Sequence, residues 1–218
     1  MSLPKPYYHD EKAGITIYHG DCREIISSLS PVDIIVTDPP YGMNFQSNHR
    51  IQKHLKIEGD DIFPMEFIHQ IKLKCDRAMY VFCRWDNLSE ILLFDKPKSI
   101  LAWVKNNWSM GDLEHEHGRQ WEAICFWAQP KHKFIKRIPD VINADRTGNF
   151  SHPTEKPSGL IRILIESNEG ETILDPFMGS GATLQAAKDI GRKAIGIEIE
   201  EKYCEIAAKR LMQEVFNF

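Results

Sequence analysis

Apolar residues along this chain fall into short, mostly β-branched runs separated by stretches with helical spacing. Residues 14–19, Gly14-Ile15-Thr16-Ile17-Tyr18-His19, alternate apolar and polar like a strand, and Gly20-Asp21 closes it. Continuous runs at 32–37 and 78–83 read as buried strands, and those at 99–104, 122–127, 171–174 and 194–197 as further strands. Between them, helices are predicted over 22–29 (Ile25, Ile26, Leu29), 63–73 (Phe67, Ile68, Ile71, with Pro64 in the first turn), 87–94, and 158–166 (Leu160, Ile161, Leu164, Ile165). Two more run from the Gly-Ser-Gly turn to about 190 and from 200 to about 213, the second packing through Tyr203, Ile206, Ala207 and Leu211. Seven strands alternating with helices predict an α/β fold, a parallel-type sheet covered on both faces.

Three stretches stand outside that rhythm. Residues 42–61 carry Asn44, Asn48, His49, Arg50, Lys53, His54 and Lys56 with little apolar periodicity, as a functional or a merely solvated loop would. Residues 105–120 contain Asn106, Asn107, Trp108 and His115-Glu116-His117; the triplet lacks a third ligand at a recognisable spacing, so no metal site is assigned. Residues 131–146 place Lys131, Lys133, Lys136, Arg137 and Arg146 against Asp140 and Asp145, with Phe134 and Ile135 among them. Such a patch suits nucleic acid as well as plain solvated surface.

The strand at 32–37 ends in Asp38-Pro39-Pro40-Tyr41, where ligands bind in open α/β sheets. These four residues suit methylation of a weakly basic amino group, such as the exocyclic nitrogen of a nucleobase, whose lone pair is delocalised into the ring. The Asp38 carboxylate and the Pro39 carbonyl can each accept an N–H and so localise that pair, and proline keeps its carbonyl while fixing φ. Two prolines stiffen the turn before substrate arrives, and Tyr41 offers a face for stacking. A strand-ending turn whose aspartate caps a helix is the plainer reading of the same residues.

A second unit supports the chemistry. The strand at 171–174 runs into Asp175-Pro176-Phe177-Met178-Gly179-Ser180-Gly181-Ala182-Thr183 and then a helix, a turn in which backbone can approach a ligand closely. Leu184 stands where a dinucleotide fingerprint has its third glycine, and no Gly-Lys-Ser/Thr follows. Glu198, at the end of the next strand and roughly 20 residues on, is placed for a ribose diol. A glycine turn and a ribose acid without a phosphate site point to a nucleoside such as S-adenosylmethionine. Asp21 can cap the helix at 22–29 or accept from an adenine amino group.

With 218 residues and 42% hydrophobic content the chain supports one well-packed domain, read as 1–218 with small insertions at about 105–120 and 131–150. Its net charge of −4 means that a nucleic-acid partner needs a local basic face. Five cysteines with no Cys-x-x-Cys pair fit buried thiols in a reducing compartment and argue against a zinc ribbon. No apolar run approaches the ~20 residues of a membrane span. The amino terminus lacks a signal-peptide core, so a cytoplasmic location and no membrane partner are expected.

Asp38-Pro39-Pro40-Tyr41, His152-Pro153-Thr154-Glu155-Lys156-Pro157 and Leu174 through Thr183 together resemble the amino-group DNA methyltransferases, in the motif order of the permuted β class. The resemblance covers nearly the whole chain. It implies a Rossmann-like, seven-stranded mixed sheet of a class I S-adenosylmethionine-dependent methyltransferase, with the last hairpin strand antiparallel and the chain starting at the third strand. It implies a cofactor site of Asp21, Cys22, Asp38, His152, Thr154, Lys156, Asp175, Phe177, Gly179, Ser180, Gly181, Thr183 and Glu198. The flipped base would enter a catalytic pocket of Asp38, Pro39, Pro40 and Tyr41. Double-stranded DNA would be met by Asn44, Arg50, Lys53, Trp108, Lys131, Lys133, Lys136 and Arg137. Family members carry a target-recognition insertion; the short space here leaves selectivity open and allows a homodimer. Asp at the head of the tetrapeptide implies adenine N6 as acceptor, with cytosine N4 the alternative. A catalytically silent DNA-binding module and a protein amide methyltransferase are readings from other classes.

Overall fold

The computed structural model describes residues 3–40, 64–109, 114–146 and 155–213. In chain order the elements are β1 (Tyr8–Asp10), β2 (Ile15–His19), α1 (Cys22–Ile25), β3 (Val32–Thr37), α2 (Met65–Lys72), β4 (Cys75–Cys83), α3 (Leu88–Phe94), β5 (Ser99–Ser109), β6 (Arg119–Ala128), β7 (Val141–Asn143), α4 (Ser158–Glu166), β8 (Thr172–Asp175), α5 (Ala182–Asp189), β9 (Lys193–Glu198) and α6 (Glu201–Met212). All nine strands share one mixed sheet in the order β1-β2-β9-β8-β3-β4-β6-β5-β7. The central strands run parallel, with Ile34 opposite Ile173 and Thr37 opposite Val81, whereas β6 lies antiparallel between β4 and β5.

Successive residues of β3 face opposite layers, as the two-residue period of a strand demands. Ile34 and Val36 join Leu160, Leu164, Leu184, Ala207 and Leu211 in a core beneath α4, α5 and α6. Ile35 turns the other way, with Ile25, Ile68, Ile71, Ile91, Leu174 and Ile197, to bury α1, α2 and α3. The α/β expectation of a sheet covered on both faces is met, and the reason is legible in these doubly apolar runs.

Five expectations change. The sheet has nine strands among the described residues, where seven were predicted, because β1 and β7 are three-residue edge strands too short to show a period. The helix expected over 22–29 keeps one α-turn and then tightens to a 3-10 turn, Ile26–Ser28. Pro31 disfavours helical backbone just beyond it, and the Ser27 hydroxyl donates to Glu24 O at 3.1 Å. The helix expected over 87–94 starts at Leu88 after a 3-10 turn, Trp85–Asn87. The expected insertion at 105–120 is in good part strand: β5 continues past the polar Lys105-Asn106-Asn107 to Ser109, and β6 begins at Arg119, with a register shift between Val104 and Ser109. The expected insertion at 131–150 likewise contributes β7 to the sheet.

Candidate active site

Three parallel neighbours, β9, β8 and β3, end side by side and each ends in a carboxylate: Glu198, Asp175 and, one residue past β3, Asp38. This edge is where a doubly wound sheet leaves a crevice.

Asp175 is buried and organises the crevice from within. Its Oδ1 accepts from Thr37 Oγ1 at 2.8 Å and from the Phe177 amide at 3.1 Å, and its Oδ2 accepts from Thr183 Oγ1 at 2.6 Å. One carboxylate thus ties the end of β3, the turn after β8 and the start of α5. Burial pushes its pKa up to about 6, against the pull of those donors. The turn itself needs glycine. Gly181 sits at φ +81°, and a Cβ there would come within 2.8 Å of Ala207 Cβ.

Glu198 Oε2 accepts from the Gly179 amide at 3.0 Å and Oε1 from the Glu200 amide at 2.8 Å. Burial raises its pKa despite these amides. Each oxygen retains a lone pair for a ligand hydroxyl. Asp21 caps α1 through the Arg23 amide at 2.9 Å and pairs with the Arg23 guanidinium, which holds its carboxyl below the usual range. The Gly20 amide donates to Glu198 O at 2.9 Å, so this cap adjoins the ribose acid. A turn with two positive-φ glycines, a buried shaping aspartate and an acid at the next strand end fit a nucleoside without phosphates, such as S-adenosylmethionine. Among the described residues of the turn there is no lysine or arginine for a phosphate.

On the other side of β3, Asp38 Oδ2 is held by Lys156 Nζ at 2.5 Å. Lys156 lies 5.3 Å from the centre of the Phe82 ring and 3.4 Å from Glu122 Oε2, while Glu122 Oε1 binds Lys105. Burial works to raise the Glu122 pKa, but the two ammonium groups outweigh it and hold the carboxyl below its usual range. Burial likewise works to lower Lys156, and Asp38 and Glu122 outweigh it, raising its pKa. Lys105 is lowered by burial. Four elements therefore contribute to an alternating chain of charge that ends on Asp38.

The structure sorts the expected site residues. Asp38, Pro39 and Pro40 stand at the end of β3; Asp21, Cys22, Phe177, Gly179, Gly181 and Glu198 gather around the β8–β9 end. Asp175, Ser180 and Thr183 are buried, and Asp175 and Thr183 bond each other. Cys22 is buried too, its thiol pushed up to about 12 by burial. Lys156, expected beside the cofactor, bonds Asp38, which was expected there too. Tyr41, Asn44, Arg50, Lys53, His152 and Thr154 lie outside the described residues.

Most of the basic run lies away from Asp38. Lys131 pairs with Asp76 at 2.9 Å, Lys133 O accepts from the Glu169 amide at 3.1 Å, and the Lys136 amide donates to Ser167 O at 3.3 Å. These contacts set Lys131, Lys133 and Lys136 at the amino ends of β4 and β8, the edge of the sheet opposite Asp38; Arg137 follows them, before β7. Because β7 runs parallel to β5, it carries the chain back across the sheet, and Arg146 arrives at the far edge, its amide donating to Asn106 Oδ1 at 3.4 Å. Trp108, 67% exposed, sits on the same edge at the end of β5. Sequence reasoning passed over Lys105, which heads the stretch read as an insertion, over Glu122, which reads as an ordinary strand residue, and over Trp85, exposed just past the carboxyl end of β4. An unpaired acid heading an apolar strand, as Glu122 does at 122–127, was the available signal.

A doubly wound sheet with a glycine turn, a ribose acid and an Asp-Pro-Pro turn along one edge defines a nucleoside-dependent methyltransferase domain. A family model described as DNA methylase matches residues 114–209. The type II methyltransferase M.HinfI of Haemophilus influenzae is 45% identical over 91% of this chain and 68% of its own. The DNA adenine methyltransferase YhdJ of Escherichia coli (strain K12) is 27% identical over 90% of this chain and 82% of its own. The solved M1.HpyAVI–SAM complex superposes with a TM-score of 0.68 at 29% identity, covering 90% of this chain and 99% of that one. The chain belongs to the DNA methylase family of N6/N4 amino-methyltransferases.

Proposed function

We propose that this chain methylates the exocyclic N6 of adenine in double-stranded DNA, with S-adenosylmethionine as donor and a motif order like that of the permuted β class. The observation that carries this is Asp38 at the end of β3, in the same crevice as the Gly179–Gly181 turn and Glu198. When bound, S-adenosylmethionine supplies a methyl group on a sulfonium; the new C–N bond forms as the C–S bond breaks, the pair going to sulfur. Glu198 would hold the ribose, the glycine turn the methionine end, and the Asp21 end of α1 the adenine.

The target base leaves the duplex at a cost of a few kcal/mol, recovered by stacking and hydrogen bonds. Asp38 and the Pro39 carbonyl accept its two N–H groups, localise the lone pair and aim it, and a proton is lost to solvent after transfer. None of the cysteines is needed, and all five are buried. Aspartate at the head of the tetrapeptide and the relative named as an adenine methyltransferase support adenine over cytosine.

The test is to incubate the protein with S-adenosylmethionine and unmethylated genomic DNA, digest to nucleosides and identify products by mass spectrometry. N6-methyladenine is expected; N4-methylcytosine corrects the base and keeps the site. Asp38→Ala should abolish transfer and leave cofactor affinity, read by calorimetry, within about 3-fold. Turnover like that of the unaltered protein would sink the mechanism.

A further inference from the structure

Lys156 stands between two carboxylates and is bonded to only one of them closely. Its Nζ is 2.5 Å from Asp38 Oδ2 and 3.4 Å from Glu122 Oε2. Glu122 Oε2 is sealed from solvent and has no hydrogen bond among the described residues, while its partner oxygen is taken by Lys105. An unsatisfied buried acceptor costs about 1–3 kcal/mol, more when it is charged. An ammonium has three donors in a tetrahedral array, and the Phe82 face beneath it favours a cation without fixing its direction.

Asp38 cannot do two things fully at once. A carboxylate neutralised by a buried ammonium is a weaker acceptor than a free one, and lone-pair localisation on the target nitrogen depends on acceptor strength. The longer, looser contact of Lys156 with Glu122 Oε2 resolves the conflict. Resting on the function proposed above, we propose that Lys156 is a positioning residue that moves between two seats. Before the base arrives it locks the Asp38 carboxylate, and when the target amino group takes its place it passes to Glu122 Oε2. Lys105 keeps Glu122 anionic throughout, so the cluster Lys105–Glu122–Lys156–Asp38 stays neutral in both states.

Among the described residues, these charged and titratable groups face the cluster. They are Asp38 after β3, Lys105 on β5, Glu122 on β6, Lys156 before α4, Cys83 at the end of β4, Arg146 after β7 and, on the far side of Asp38, Asp175. Removing the Glu122 charge takes away one of the two carboxylates that keep Lys156 protonated, so Lys156 loses its proton at a lower pH. Once neutral, it no longer restrains Asp38.

Glu122→Gln is therefore expected to lower kcat about 10- to 100-fold near neutral pH, with KM for DNA and cofactor affinity within about 3-fold. The deficit should shrink as pH rises, which a purely structural defect would not do. In a Lys156→Met background the same Glu122→Gln change should cost nothing further. An unchanged kcat, a deficit flat across pH, or the same loss in both backgrounds overturns the proposal. A measurement on the unaltered side chains removes dependence on variant folding. The 15N-lysine Nζ signal of Lys156, assigned with Lys156→Arg, should shift on adding substrate duplex with S-adenosylhomocysteine. A signal unmoved by duplex that is shown to bind also overturns it. If the unaltered protein methylates no nucleoside, the function itself fails; if it methylates and these readouts do not respond, only the two-seat lysine fails.

Discussion

At the scale of single residues, Asp175 decides how the crevice responds to acid. Its folded pKa of about 6 exceeds the 3.8 of an ordinary aspartate. The folded state therefore holds more protons than the unfolded one between about pH 4 and 6, and this group's contribution to stability falls as pH rises through that window. The stability of the native protein relative to Asp175→Asn, from urea unfolding at a series of pH values, should fall by roughly 3 kcal/mol between pH 4 and 7 and then level off. A difference that rises with pH would show that the carboxylate is welcomed as a charge. The residue's presence was legible in the sequence because Asp-Pro before a glycine turn is a strong pattern. Its role was not, because nothing local reveals that Thr37, more than a hundred positions earlier, and Thr183 converge on it. The contacts of Lys156 were not legible for the same reason: a motif fixes neighbours along the chain, and its partners Asp38 and Glu122 come from other elements.

At the scale of elements, the amino ends of the sheet are clamped by a residue the sequence reading left inside a strand. Asp33 on β3 accepts from the Glu171 and Thr172 amides at 2.9 and 3.0 Å and from Thr172 Oγ1 at 2.8 Å, while Arg77 on β4 reaches its other oxygen at 3.2 Å. Three neighbouring strands are thereby held in register at the end remote from the chemistry. Asp33→Ala leaves two backbone amides short of an acceptor and should destabilise the fold by about 2–3 kcal/mol at pH 7, read as a lower urea midpoint with unchanged slope. Activity of the folded variant should persist at low urea. Long apolar strands and amphipathic helices were readable because burial on both faces imposes a pattern. The short edge strands β1 and β7, and the polar continuation of β5, were not, because their pairing is set by a neighbour's backbone.

At the scale of the whole molecule, the sheet separates two charged edges that are continuous in sequence. Arg146 and Trp108 share the edge that bears Asp38, whereas Lys131 and Lys133 lie at the other. Arg146→Ala should weaken DNA binding several-fold and flatten its salt dependence by about one counterion, while Lys131→Ala with Lys133→Ala leaves both unchanged; fluorescence anisotropy across a salt series measures each. The opposite ranking would relocate the DNA face. The same topology also orders assembly. One side of β2 pairs with β1 and the other with β9, and among the described residues β9 and β8 bridge β2 to β3 in the sheet, although both follow β7 in the chain. During synthesis, one side of β2 and of β3 must wait for the last third of the polypeptide, and the crevice is incomplete until it arrives. Their early strands are open edges of the kind that invite pairing with other chains, so for this molecule completing the catalytic edge and closing the sheet against aggregation are one event.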